Sequence, residues 1–435
     1  MLAEGVYINS QISEGSQNGM SLKPLAPSPL ATAFRRLLIA LLAVLTAFLP
    51  VWNAAAQTVD TDPLNRDPLV RVGFEYFYNM DYADALVTFE KVQIEHPSNP
   101  IATDYILYVT IFRELFRLDL LDTTFYANDG FLTGKHTVVE DPQVRDQVKA
   151  LADKAMNQAN DELKRNPNDE NALFARGWAR SLEAVYLAMV ERSFGSALKM
   201  AYGAKNDNER VLELNSNYVD AKMVVGVYEY VVGALPFAFK LLIGFAGIHG
   251  SKSEGLATLQ DAANRGVITS VESRTAMALF LRREGKYQQA LAINNTLVAE
   301  YPHDFLFNLE RANLAKDAGE GMKAVNLYRQ VIRDAQRPGY FASYHLELAY
   351  FGLGASLRGQ HLYEQSVEAF REGAFQPTTS AELKRRCLLA AGEVYDLMNQ
   401  HDKAREQYQA VLAAGSNTTQ GDLARKYMDS PYEGR

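Results

Sequence analysis

The sequence predicts an all-α fold, a superhelical solenoid of about seven to nine stacked helical hairpins. Three observations predict it. A pattern of small residue, alanine, aromatic and proline returns several times along the chain. The segments between turns carry apolar residues at helical spacing, so each hairpin has a face it cannot bury alone. No run of alternating β-branched residues bounded by turns reads as a strand.

The first 56 residues stand apart from this pattern. Arg35 and Arg36 precede the apolar run LLIALLAVLTAFLPVW at 37–52, which is followed by Asn53-Ala54-Ala55-Ala56-Gln57. A basic n-region, a short apolar core and an Ala-x-Ala site describe an export signal over 1–56, cleaved near Ala56. The run is shorter than the roughly 20 residues a spanning helix prefers. An uncleaved anchor in the inner membrane, facing the periplasm, is the alternative. No cysteine lies nearby to carry a lipid anchor, and Met20 is a second candidate start. The polar stretch 57–65, QTVDTDPLN, reads as a flexible lead-in.

The repeat begins next. Segment 66–99 carries Gly73, Ala85, Phe89 and Pro97 around the short turn Asn79-Met80-Asp81. Segment 271–304 has Ala278, Tyr287, Ala290 and Pro302; 305–337 has Ala312, Gly319, Ala324 and Tyr328. Segment 347–377 has Gly354, Tyr363, Ser366 and Phe370; 385–417 has Gly392, Tyr395, Ala404 and Tyr408. Between them the pattern is degenerate. Helices are expected over 153–169, 171–191, 206–217, 218–233 and 254–263. The reading divides the mature chain into a degenerate array over 66–265 and a regular array with a terminal cap over 266–435.

The five in-phase segments resemble the tetratricopeptide repeat, a helix-turn-helix unit of about 34 residues. The resemblance implies that Gly73 and its equivalents let the first helix approach the second. It also implies that Ala85 does the same from the second helix, that Phe89 fills the groove between them, and that Pro97 ends the unit. A second resemblance covers the chain from Asn171 onward. Leu235-Pro236, Gly244-Phe245-Ala246-Gly247 and Gly255-Leu256 are similar to a segment of the tetratricopeptide repeat protein 39 family. That resemblance implies architecture and no chemistry.

An insertion at 234–253 interrupts the array. Residues 231–250, VVGALPFAFKLLIGFAGIHG, are the most apolar stretch after the signal. They read as a buried helix, or as an apolar contact through Pro236, Phe237, Phe239 and Phe245. The segment 121–141 lacks helical period and holds Gly130 and Gly134; it reads as a surface excursion or as a lid over the groove.

Composition narrows the chemistry. The formal charge of -8 argues against a partner that is nucleic acid. The single cysteine, Cys387, excludes an internal disulfide framework and sits in an apolar helix as a core residue. His96, His136, His249, His303, His345, His361 and His401 include no pair at helical ligand spacing, so no metal site is expected. His249-Gly250-Ser251-Lys252-Ser253 lacks the Gly-Lys-Ser/Thr order of a phosphate loop, and Ser251 or Ser253 reads as a helix cap. No nucleophile elbow is present. No cofactor and no enzymatic activity are expected. What remains is a chain that binds proteins as a scaffold or adaptor in a bacterial cell envelope, with a peripheral membrane contact as the alternative. A concave groove lined by Tyr76, Tyr105, Tyr108, Tyr228, Tyr344 and Tyr350 would grip an extended peptide, because tyrosine offers area and a hydroxyl at low entropy cost.

Overall fold

The computed structural model describes residues 59–126, 139–236 and 249–434. Among them every regular element is helical, and seventeen α-helices follow one another. They are α1 (Pro68–Tyr78), α2 (Tyr82–Glu95), α3 (Pro100–Arg117), α4 (Pro142–Arg165), α5 (Glu170–Met189) and α6 (Phe194–Leu214). Then come α7 (Ala221–Ala234), α8 (Lys252–Arg265), α9 (Ser270–Arg283), α10 (Tyr287–Glu300), α11 (Phe305–Asp317) and α12 (Gly321–Ala335). The last are α13 (Leu346–Gly359), α14 (Tyr363–Ala374), α15 (Ala381–Leu397), α16 (His401–Gly415) and α17 (Thr419–Asp429). Successive pairs pack as hairpins and each hairpin packs on the next, giving eight hairpins and a closing helix.

Local sequence sets the helix starts. Asp67, Asn99 and Asp141 each precede a proline at the first helical position and accept the backbone N–H two residues on, at 2.7, 2.9 and 2.9 Å. Asp304 caps α11 through the N–H of Phe307 at 2.7 Å. Ser251 caps α8 through the N–H of Glu254, as the sequence suggested for Ser251 or Ser253.

The packing inside each hairpin follows the repeat. A Cβ added to Gly73 would lie 2.5 Å from the ring of Phe89; at Gly354 it would meet Phe370 at 2.7 Å, and at Gly392 it would meet Tyr408 at 2.4 Å. In all three pairs the aromatic follows the glycine by sixteen residues. The rings need that space, so the first helix must carry a small residue there. Ala85, Ala290, Ala324, Ser366 and Ala404 are buried on the facing helices. The chain is therefore an all-α tetratricopeptide-like solenoid. In the degenerate middle the helices cross with backbone close at hand: a Cβ on Gly226 of α7 would sit 2.8 Å from Leu259 and 2.9 Å from the Gly255 carbonyl of α8.

One expectation changes. The lead-in is ordered from Val59 on, not flexible. Asp62 opens a 3-10 turn at Pro63–Arg66, Thr61 donates to Asp220 at 2.8 Å, and the Tyr105 hydroxyl donates to Asn65 at 2.6 Å. Polar side chains in this stretch find buried partners, and that fixes it. Val59–Arg435 forms one compact unit, so the degenerate array over 66–265 and the regular array over 266–435 run on as one body. Asp220, at the start of α7, accepts the N–H groups of Val267, Ile268 and Thr269 and the Thr269 hydroxyl, welding the two expected arrays together.

Candidate interaction face

The first helices of the hairpins, α1, α3, α5, α7, α9, α11, α13 and α15, share one side of the stack. Here the chain places its own residues on it. The segment after α3, residues 118–126, runs past the first helices of three later hairpins. Asp119 pairs with His345 at the start of α13. Thr123 donates to Glu310 of α11, and Arg282 of α9 donates to the Thr123 hydroxyl at 2.6 Å. Arg283 donates to the Tyr126 carbonyl at 2.5 Å. Arg282 is buried and held between Glu310 at 3.2 Å and Asp317 at 2.6 Å. A buried guanidinium with two carboxylates and a hydroxyl has its charge matched on several sides.

The first two hairpins reach across to the same later repeats. Tyr78 of α1 and Tyr108 of α3 both donate to one oxygen of Glu272 on α9, at 2.5 and 2.6 Å. Burial pushes the Glu272 carboxyl up to about 7, although the two phenols favour its ionised form. Tyr78 packs on Tyr301 with ring centroids 4.9 Å apart, and Ser343 donates to the Met80 carbonyl at 3.0 Å.

The predicted tyrosines divide. Tyr105 is fully buried, stacked on Phe89 and edge-on to Trp178. Tyr108 is buried against Phe77 and Glu272, and Tyr228 is buried beside Tyr202. None of these three lines an open groove. The reason is physical: an aromatic on a first helix is covered by the neighbouring hairpin, so the off-register rings became inter-repeat core. Tyr350 is half-buried on α13. Only Tyr76, 37% exposed, and Tyr344, 41% exposed, are open, and they lie on separate elements. Pro236 is half-buried; Phe237, Phe239 and Phe245, like most of the expected lid at 121–141, lie outside the described residues.

Sequence reasoning missed Asp119, Glu272, Arg282, Glu310, His345 and Glu347. Each meets its partner through the fold and not through local spacing: Tyr108 and Glu272 are 164 positions apart, Asp119 and His345 are 226. No motif read along the chain could reveal them.

No protein-family model matches the sequence, and neither does any curated protein. Solved structures similar to the chain include the hetero-tetramer Cut9–Hcn1 of the APC/C, with a TM-score of 0.47 and 14% identity over 83% of this chain. The match covers 55% of that protein, so this chain spans about half its length. A tetratricopeptide repeat protein from Parabacteroides merdae has a TM-score of 0.32 and 14% identity, over 74% of this chain and 97% of that one. Yeast Tom70 has a TM-score of 0.39 and 11% identity, over 83% and 80%. The class assigned to this chain, a tetratricopeptide-like α-solenoid, rests on its own packing.

Proposed function

We propose that the chain is an exported scaffold or adaptor that binds another protein in the bacterial cell envelope. The observation that carries this reading is the first hairpin. Val72 and Tyr76 on α1, and Val87 and Ile94 on α2, are all exposed large apolar side chains. Their spacings, four and seven residues, put each pair on one face of its helix. Inner hairpins cover such stripes with the next repeat; this one leaves four open on a single hairpin, which suits an apolar segment of a partner. Export is supported by the signal-like residues 1–56. The likeness of the central segment to the tetratricopeptide repeat protein 39 family enters only as architecture. Among the described residues no helix is long and apolar enough to cross a membrane.

The test is crosslinking in the native envelope, followed by purification through a C-terminal tag and sequencing of the mature N-terminus. One near-stoichiometric protein, lost in the double variant Tyr76→Asp, Ile94→Asp, and a mature chain starting near Gln57 support the proposal. Recovery of the chain alone, or from the cytosol with its N-terminus intact, overturns it.

A further inference from the structure

The start of α13 holds a group of side chains that the packing of the solenoid does not explain. Asp119, His345 and Glu347 each present one donor atom, and these atoms lie within 4.8 Å of one another. His345 Nδ1 faces two carboxylates at once: it contacts Asp119 Oδ1 and lies 3.5 Å from Glu347 Oε1. The side chains are 12%, 6% and 0% exposed for His345, Asp119 and Glu347. A single imidazole nitrogen satisfies only one of the two acceptors. Glu347 Oε1 is accordingly buried with no hydrogen-bond partner. An orphaned carboxylate oxygen at a fully buried position costs the fold its desolvation, and the cost is relieved when a proton or a cation meets it.

The surroundings orient the donors as a metal site requires. The other oxygen of Glu347 accepts from the Thr378 hydroxyl at 2.8 Å, which fixes the carboxylate plane. The His345 ring packs on Phe116 with centroids 4.2 Å apart, which fixes the imidazole. Asp119 stands at the turn closing α3, with a left-handed φ of 59°, and is held there by the backbone bond from its N–H to the Phe116 carbonyl. One nitrogen and two carboxylate donors suit zinc and neighbouring divalent transition metals better than calcium or magnesium, which prefer all-oxygen shells. Three protein donors leave a fourth tetrahedral position for water, on the side of His345, the most exposed of the three.

We propose that Asp119, His345 and Glu347 form a binding site for a divalent transition-metal ion, zinc foremost. The bound ion satisfies Glu347 Oε1 and replaces the single Nδ1 contact with three ligand bonds. It also has a structural consequence. Asp119 belongs to the segment 118–126 that crosses the first-helix face, while His345 is the N-cap residue of α13 and Glu347 lies in its first turn. The ion therefore fastens that segment to the later repeats. This inference does not depend on the identity of any protein partner.

The experiment uses the purified protein stripped with a chelator and dialysed against zinc ions, with bound metal quantified per chain. The expected result is one zinc per chain and a higher melting temperature with zinc than without. Glu347→Gln and Asp119→Asn keep the size of the side chains and a hydrogen-bonding oxygen. Each is expected to weaken zinc binding by about tenfold or more and to abolish the thermal shift. Far-UV circular dichroism identifies any variant that fails to fold, and His345→Asn then takes its place. A stripped wild-type chain that retains no zinc overturns the proposal. So does binding that survives unchanged in folded variants, because the ion then sits elsewhere.

Discussion

Glu272 should make the stability of this protein fall as the pH rises from the ordinary carboxyl range toward neutrality, and a single amide substitution should remove the effect. Its carboxyl is buried between Tyr78 and Tyr108, with Asp220 adding a further negative charge, and it titrates at about 7 instead of 4.5. Above the ordinary carboxyl value the unfolded chain releases a proton that the folded chain retains. Stability therefore declines between about pH 4.5 and 7 and then levels off. At about 1.4 kcal/mol per pH unit, the penalty once both states are ionised is roughly 3 kcal/mol. Glu272→Gln keeps the oxygen that accepts from both phenols and has no charge to titrate. It places an amide where Oε2 already lacks a partner, a cost that does not vary with pH. Between pH 5 and pH 8 the variant should gain roughly 2 to 3 kcal/mol on the wild type in urea unfolding. Working with the difference between the two proteins cancels the other titrating groups. A difference that stays constant across that range refutes the argument that burial holds Glu272 protonated.

Other substitutions test the packing. Gly226→Ala places a Cβ 2.8 Å from Leu259 and 2.9 Å from the Gly255 carbonyl. It should cost about 1 to 3 kcal/mol, because backbone and not a flexible side chain must move; thermal unfolding reads the loss, and an unchanged melting temperature denies the close crossing of α7 and α8. Asp220→Ala removes the acceptor for three backbone N–H groups and two hydroxyls. It should cost about 3 kcal/mol or more and raise amide exchange at 266–269; slow exchange there in the variant contradicts the role given to Asp220. Thr123→Val should loosen the segment at 118–126 by removing the hydroxyl that joins it to Arg282 and Glu310, read as faster proteolysis near Tyr126; wild-type cleavage rates argue against it.

The repeat was legible because its information is local. Gly73 and Phe89, Gly354 and Phe370, and Gly392 and Tyr408 keep one spacing, and the crossing of two helices demands it. Ala85 and Ala404 follow from the same geometry. The contacts across the first-helix face were not legible, for two reasons. Tyr105, Tyr108 and Tyr228 look like amphipathic surface residues when each helix is considered alone, and only the neighbouring hairpin covers them. Charged residues such as Asp119 and Arg282 look like solvated surface until the fold brings together positions more than 150 apart. The order of the lead-in within 57–65 was illegible for the same cause, since its polar side chains resemble linker composition and meet Asp220 and Tyr105 only through the fold.

Hydrogen exchange at 118–124 tests the central claim most directly: the solenoid carries its own chain across the face of its first helices. The amides of Leu118, Asp119, Leu120 and Asp122 bond to backbone carbonyls, and that of Thr124 bonds to the Asp122 carboxylate. Within the segment, Thr123 anchors to α9 and α11, and Asp119 pairs with His345 at the start of α13. The account predicts protection comparable with that of the flanking end of α3. Complete exchange at the earliest time point, alongside protected helices, would contradict it and leave the face open.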